Sequence, residues 1–247
     1  MRPSSARDRL IVALDVATLG SAMAMARRLQ GLVRTVKIGS ALFTACGPEA
    51  IRSIRALGFQ VMLDLKFFDI PSTVELSCRA AARHRVSMLT IHASGGPAML
   101  EAAVRGAHDE ARRFRTAPPN VLGVTVLTSW EGARPSSVQA RVAELTRVAL
   151  QTGCTGVVAP AQEARALRRR FGKQLYLVCP GIRPAGLSSP APVPSRSAAR
   201  DDQRRVCTPH EALVRGADAL VIGRPITAAR DPRVAAGQIL NEMEGAP

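Results

Sequence analysis

An eightfold alternation constrains this chain more than any other feature. Short apolar runs fall at residues 10–14, 33–38, 60–65, 88–91, 121–127, 156–159, 175–179 and 219–222. Each has the length of a strand, and most carry Val, Ile or Leu without polar alternation, as parallel strands covered on both faces do. Amphipathic stretches with helical spacing lie between them, at 18–30, 48–57, 72–84, 97–114, 137–152, 161–170, 209–215 and 232–244. Ser72 with Glu75 and Thr208 with Glu211 read as capping boxes, and Pro209 suits a first helical position. Gly31, Gly58, Gly153 and Gly216 stand where helices stop. Strict alternation allows an open doubly wound sheet, but a count of eight points to a closed α/β barrel, a (β/α)8 TIM barrel. No domain boundary is visible, so residues 1–247 read as a single barrel domain. The irregular segment is 184–200, rich in Pro, Ser and Ala. It is too long for an ordinary connection and reads as a functional or a disordered loop inside the seventh unit.

Composition narrows the function. The chain is 47% hydrophobic, enough for a full core, and carries a net charge of +15 with a pI near 11.3. Such a charge raises the question of a nucleic-acid partner. The arginines are scattered, aromatics are only 3%, too few for a base-stacking platform, and no zinc-finger or RNA-recognition signature appears. The basic excess is therefore read as background composition, with no nucleic acid as partner. Its makeup is informative: of 34 basic residues three are lysine (Lys37, Lys66 and Lys173), leaving 31 arginines. A lysine in such a chain invites the question whether a compact, titratable ammonium is required there. Five cysteines without a C-x-x-C pair argue against a disulfide framework or a zinc ribbon. The apolar run at 10–14 ends at Asp15, too short for a signal-peptide core, and no run approaches membrane-spanning length. The expectation is a soluble cytoplasmic protein with no membrane association.

Barrels carry their chemistry where strands end. Those positions hold Asp15, Lys37, the Asp64–Lys66–Asp69 cluster, His92, the segment near Thr125–Thr128, Gly181–Arg183 and Gly223–Arg224. Residues two apart on a strand face one side, so Asp64 and Lys66 can project together into the barrel mouth, with Lys37 converging from the neighbouring strand. An isolated D-x-K is more often an ordinary salt bridge. Four alternating charges are another matter: each pair at ~4 Å exchanges about 4 kcal/mol at an effective dielectric of 20, against desolvation of similar size. Such a network would hold an ammonium charged and aimed, as a proton donor to a carbanion requires. Gly181, Gly223 and Arg224 lie in the two loops where this architecture binds phosphate, though Pro-Gly and Gly-Arg-Pro are also common turns. His92 either lines the pocket or is a satisfied structural histidine. His84, His108 and His210 fall on helical stretches, and Lys173 reads as a solvated charge. No H-E-x-x-H, Walker loop or G-x-G-x-x-G is present.

The segment Asp64-Leu65-Lys66-Phe67-Phe68-Asp69-Ile70-Pro71-Ser72-Thr73 resembles the D-x-K-x-x-D-I-P-x-T signature of the orotidine 5′-phosphate decarboxylase family. The resemblance spans nearly the whole chain. Leu14-Asp15-Val16, Lys37-Ile38-Gly39, Ile91–Gly96, Val124–Ser129, Pro180–Arg183, Asp202-Gln203, Val206–Pro209 and Ile222–Ile226 follow in the family's order. It implies decarboxylation of orotidine 5′-phosphate to UMP without cofactor or metal. It implies that Lys66 is the general acid protonating C6 of the pyrimidine, with Asp64 and Lys37 completing the charged array. Asp69 and Thr73 are implied to reach the partner's site in a homodimer. Asp15 and Lys37 are implied to contact the ribose, Thr128 the pyrimidine edge, Gln203 both pyrimidine and phosphate, and Gly223, Arg224 and Arg183 the phosphate. Two positions depart from the family's common residues: Phe68, where histidine is frequent, and Ser72, where asparagine is. The stretch from Arg183 to Gln203 is also longer than the family leads one to expect, which bears most on the register of Gln203.

Two rival readings remain distinguishable. A metal-dependent sugar-phosphate decarboxylase or aldolase on a similar barrel shares the D-x-K-x-x-D core but places a carboxylate ligand where Lys37 stands. A non-enzymatic basic nucleic-acid-binding protein would show salt-sensitive binding and no decarboxylation.

Overall fold

The computed structural model describes residues 5–126, 135–184 and 207–245. A one-turn helix α1 (Ala6–Arg9) leads into β1 (Leu10–Ala13) and α2 (Leu19–Leu29). Then come β2 (Thr35–Gly39), α3 (Ser40–Cys46), α4 (Pro48–Ala56), β3 (Gln60–Phe67), α5 (Pro71–Arg83), β4 (Met88–His92) and α6 (Pro97–Arg113). The second half has β5 (Asn120–Val124), α7 (Pro135–Gln151), β6 (Gly156–Val158), α8 (Ala164–Phe171) and β7 (Tyr176–Cys179). It ends with α9 (Pro209–Val214), β8 (Ala219–Ile222), α10 (Arg224–Thr227) and α11 (Pro232–Glu244). The eight strands are parallel and hydrogen-bond in chain order, with β8 closing onto β1. The expected closed barrel is therefore present.

Register gives each strand an inner and an outer face. Ala13 pairs with Lys37, Lys37 with Met62 and Met62 with Met88, which places these residues in one inward-facing set. Ile11, Met62, Met88, Leu122, Tyr176, Val178 and Ala219 form the packed interior of the barrel. The alternate residues, including Leu10, Val12, Val36, Ile38, Val61 and Leu63, form a second and larger core with the helices. Near-complete burial on both faces is why the strands read as continuous apolar runs.

Three expectations change. Ser72 does not cap a helix: α5 begins one residue earlier, at Pro71, and its N-cap Ile70 makes no side-chain cap bond. Proline is preorganised for the first helical position, which leaves Ser72 inside the first turn, and Glu75 turns instead to Arg79 and Arg105. The Thr208–Glu211 box is formed. Helix α3 was not visible in the sequence, because it follows β2 without a break and stops at Gly47, whose φ of 58° suits glycine. The fifth strand ends at Val124, short of 127.

Helices α5 and α6 approach closely because Gly106 has no side chain. A Cβ there would lie 2.3 Å from the backbone oxygen of Glu75. Arg79 and Arg83 of α5 then reach the fully buried Glu110 of α6 at 3.8 and 2.8 Å. Just before β7 and β8 Arg168 donates to the carbonyls of Gly172, Leu175 and Gly216 and pairs with Asp218. Several arginines therefore serve the fold, which fits the reading of the basic excess as background.

Candidate active site

At the C-terminal end of the strands lies a cleft of about 350 Å³. Its inner wall comes from strand residues that the register turns inward: Ala13, Lys37, Met62, Asp64, Val124, Val158 and Val221. Its rim holds Asp15, Lys66, Pro160, Pro180, Gly181, Arg183, Gly223 and Arg224. Of the residues expected at the strand ends, Asp15, Lys37, Asp64, Lys66, Gly181, Arg183, Gly223 and Arg224, from five of the strands, lie on this cleft.

The charged cluster is compact. Lys37 Nζ is 2.9 Å from Asp15 Oδ1 and 3.4 Å from Asp64 Oδ2. Lys66 Nζ donates to the same Asp64 Oδ2 at 2.8 Å. Two ammoniums and two carboxylates make the cluster neutral overall, which limits the cost of assembling it in a partly dry site. Burial is graded along it: the side chains of Lys37 and Asp64 are about a tenth exposed, that of Lys66 is 36% and that of Asp15 60% exposed. Burial pushes the Asp64 carboxyl up, but the ammoniums of Lys37 and Lys66 and the hydrogen bonds from Lys66 and Thr90 outweigh it and hold its pKa below the usual value. Gly39 leaves the space: a Cβ there would come within 3.1 Å of both Asp15 Oδ1 and Lys37 Nζ.

Asp64 and Lys66 meet, though not by simple strand alternation. The β3–β4 register runs Met62 to Met88 and Leu63 to Leu89, then slips to Phe67 opposite Ile91. Within this irregularity Lys66 adopts a φ of 50°, a left-handed conformation that costs a non-glycine residue ~1–2 kcal/mol. The strain sits on the residue whose ammonium is aimed into the cleft. Thr90, which sequence reasoning missed, is fully buried here. Its hydroxyl donates to Asp64 Oδ1 at 2.9 Å and accepts from the Lys66 backbone N–H at 3.0 Å. The available signal was a polar residue within the apolar run of β4, two positions before His92 and so on the same face.

His92 does not line the cleft. It packs edge-on against Phe68, with ring centroids 5.7 Å apart, and burial together with the Lys66 charge lowers its pKa. Asp69 and Thr73 also lie off the cleft wall and are exposed. Asp69 Oδ1 accepts from the Ile70 N–H at 2.6 Å, and Phe68, Ile70 and Leu76 beside it are 62–66% exposed. Thr128 and Gln203 lie outside the described residues.

On the opposite wall Gly181 has a φ of 75°, a conformation that glycine adopts without strain. Gly223 stands 3.5 Å, measured from an added Cβ, from Ala13 Cβ, so the loop runs close over β1. With the Arg183 and Arg224 guanidiniums on the same rim, this wall suits a phosphate. At the base of the long excursion Ile182 bridges to Cys207, and Arg183 N–H donates to Cys207 O at 2.9 Å. Among the described residues no three side chains converge as metal ligands, and no helix is long and apolar enough to cross a membrane.

Comparisons with known proteins agree with this geometry. Residues 8–239 match the model of the orotidine 5′-phosphate decarboxylase / HUMPS family. The chain is 44% identical over 246 residues to orotidine 5′-phosphate decarboxylase of Moorella thermoacetica, covering 97% of this chain and 93% of that protein. It is 43% identical over 243 residues to the protein of the same name from Nitrosococcus oceani, covering 96% and 98%. The crystal structure of orotidine 5′-phosphate decarboxylase from Lactobacillus acidophilus superposes with a TM-score of 0.79 at 30% identity, over 99% of this chain and all of that one. A charged array on the rim of a closed parallel barrel, a signature that spans it and full-length relatives place this chain in the orotidine 5′-phosphate decarboxylase / HUMPS family.

Proposed function

We propose that this chain decarboxylates orotidine 5′-phosphate to UMP and CO2, the last step of de novo pyrimidine nucleotide synthesis. The observation that carries the reading is the Lys66 ammonium, 2.8 Å from Asp64 in a cleft whose opposite wall is built for phosphate. The C6–carboxylate bond breaks, its electron pair stays on C6, and CO2 leaves. Lys66, held in place by its hydrogen bond to Asp64, stabilises the developing carbanion and then gives its proton to C6. Lys37 keeps Asp64 ionised and, with Asp15, offers polar contacts to the ribose. Gly223, Arg224 and Arg183 grip the phosphate, and that remote binding energy helps close the site. Thr128 and Gln203 are assigned to the pyrimidine edge and to the pyrimidine–phosphate bridge by resemblance. The reading assigns no cofactor and no metal. Two ammoniums within 3.4 Å of Asp64 already neutralise the carboxylate that a cation would need.

The active unit in this reading is a homodimer of single-domain, cytoplasmic chains. Asp69 and Thr73 are exposed and lie off the wall of their own cleft, close in sequence to the exposed apolar side chains of Phe68, Ile70 and Leu76. Such a patch suits burial against a second copy, which would carry Asp69 and Thr73 toward the neighbouring site.

The test is an absorbance assay on orotidine 5′-phosphate, run with and without a chelator. Turnover unaffected by chelation supports the reading. Absence of turnover, with chelator-sensitive activity on a sugar phosphate, would replace it with the metal-dependent alternative.

A further inference from the structure

Thr90 lies where three residues of β3 (Asp64, Leu65 and Lys66) stand opposite a single residue of β4. Its hydroxyl is engaged on both sides. Asp64, held ionised, can only accept, so the single hydroxyl proton goes to Asp64 Oδ1 at 2.9 Å. The oxygen is then left to accept the Lys66 backbone N–H at 3.0 Å. Asp64 Oδ2 is meanwhile shared by the two ammoniums, so Thr90 fixes the oxygen that the lysines leave. The same hydroxyl supports the left-handed backbone of Lys66, where the ladder between β3 and β4 slips.

We infer that Thr90 is a positioning residue for the reaction, its hydroxyl locking the Asp64 carboxylate and the Lys66 main chain in one arrangement. The role rests on the decarboxylase reading above. Without the hydroxyl, the carboxylate can rotate about its side chain and the Lys66 backbone loses the partner of its N–H. Both changes move the ammonium relative to C6. The phosphate wall, formed by Gly181, Gly223 and Arg224 on other strands, is untouched. The loss therefore falls on kcat rather than on KM.

Packing alone makes the opposite prediction. Thr90 is fully buried, and valine matches its shape while suiting a buried strand better. The decisive comparison is Thr90→Ser against Thr90→Ala and Thr90→Val, assayed on orotidine 5′-phosphate with folding checked by circular dichroism. Serine and alanine differ only in the hydroxyl oxygen, so the comparison stands even if the valine variant fails to fold. The expected result is that serine keeps kcat within about threefold of wild type. Alanine and valine are expected to lose about 10²-fold in kcat, with KM changed by less than about threefold. Alanine or valine turning over as fast as serine, or a loss carried by KM, would overturn the role. A wild-type chain without activity on this substrate would instead defeat the decarboxylase reading itself.

Discussion

Lys37 and Lys66 meet on one oxygen: Asp64 Oδ2 lies 3.4 Å from the first ammonium and 2.8 Å from the second. Removing that carboxylate leaves two cations close together in a partly dry pocket. Asp64→Asn is expected to cost about 3 kcal/mol of stability at neutral pH, read from urea unfolding, along with most of the turnover. A variant as stable as the wild type would show that the pair is only superficial.

The same carboxylate gives stability a pH dependence. Its folded pKa lies below the unfolded value of about 3.9, so the unfolded chain binds more protons in the interval between them. The contribution of Asp64 is fully present above that interval and fades as pH falls through it. The stability gap between wild type and Asp64→Asn should therefore shrink from pH 7 to about pH 3. Unfolding curves at several pH values check this, and a gap that widens on acidification would contradict it.

Asp69 is exposed and off the cleft, whereas Lys66 lines it. If each site takes Asp69 from the partner, Asp69→Ala and Lys66→Ala subunits are each inactive alone but form one intact site per mixed dimer. Random mixing in equal amounts then restores about a quarter of wild-type activity. No recovery despite subunit exchange, verified by native mass spectrometry, would place Asp69 outside the catalytic unit.

The excursion after β7 is tied at its base by the Ile182–Cys207 bridge and the Arg183–Cys207 hydrogen bond. Deletion of residues 187–197 leaves both intact. It is expected to preserve the fold, with a melting temperature within a few degrees, and to raise KM by about tenfold, near 1.4 kcal/mol. A chain that no longer folds would show that the segment is structural.

Gly106→Ala probes the α5–α6 contact. The new methyl group meets the Glu75 backbone oxygen, which cannot rotate away, so a loss of about 1–3 kcal/mol is expected by denaturant titration. A neutral substitution would mean that the two helices separate at little cost.

Much of this molecule was legible in its sequence, for physical reasons. Doubly covered strands have to be apolar, so the eight runs stood out, and Gly31, Gly58, Gly153 and Gly216 all carry the positive φ that marks a helix stop. The scarcity of lysine singled out Lys37 and Lys66, both of which lie on the cleft. Other features depend on three-dimensional detail. The Ser72 cap failed because Pro71 claims the first helical position. The meeting of Asp64 and Lys66 looked like plain alternation, yet it passes through a register slip and a left-handed Lys66. Thr90 went unnoticed because one buried threonine on a strand is unremarkable until its two partners are known.

The central claim is that the Lys66 ammonium is the proton donor to C6, and it is tested by the turnover of orotidine 5′-phosphate by Lys66→Ala beside the wild type. The account predicts rapid loss of substrate absorbance with the wild-type chain and a fall in kcat of at least about 10³-fold in the folded variant. Full activity in Lys66→Ala would contradict it.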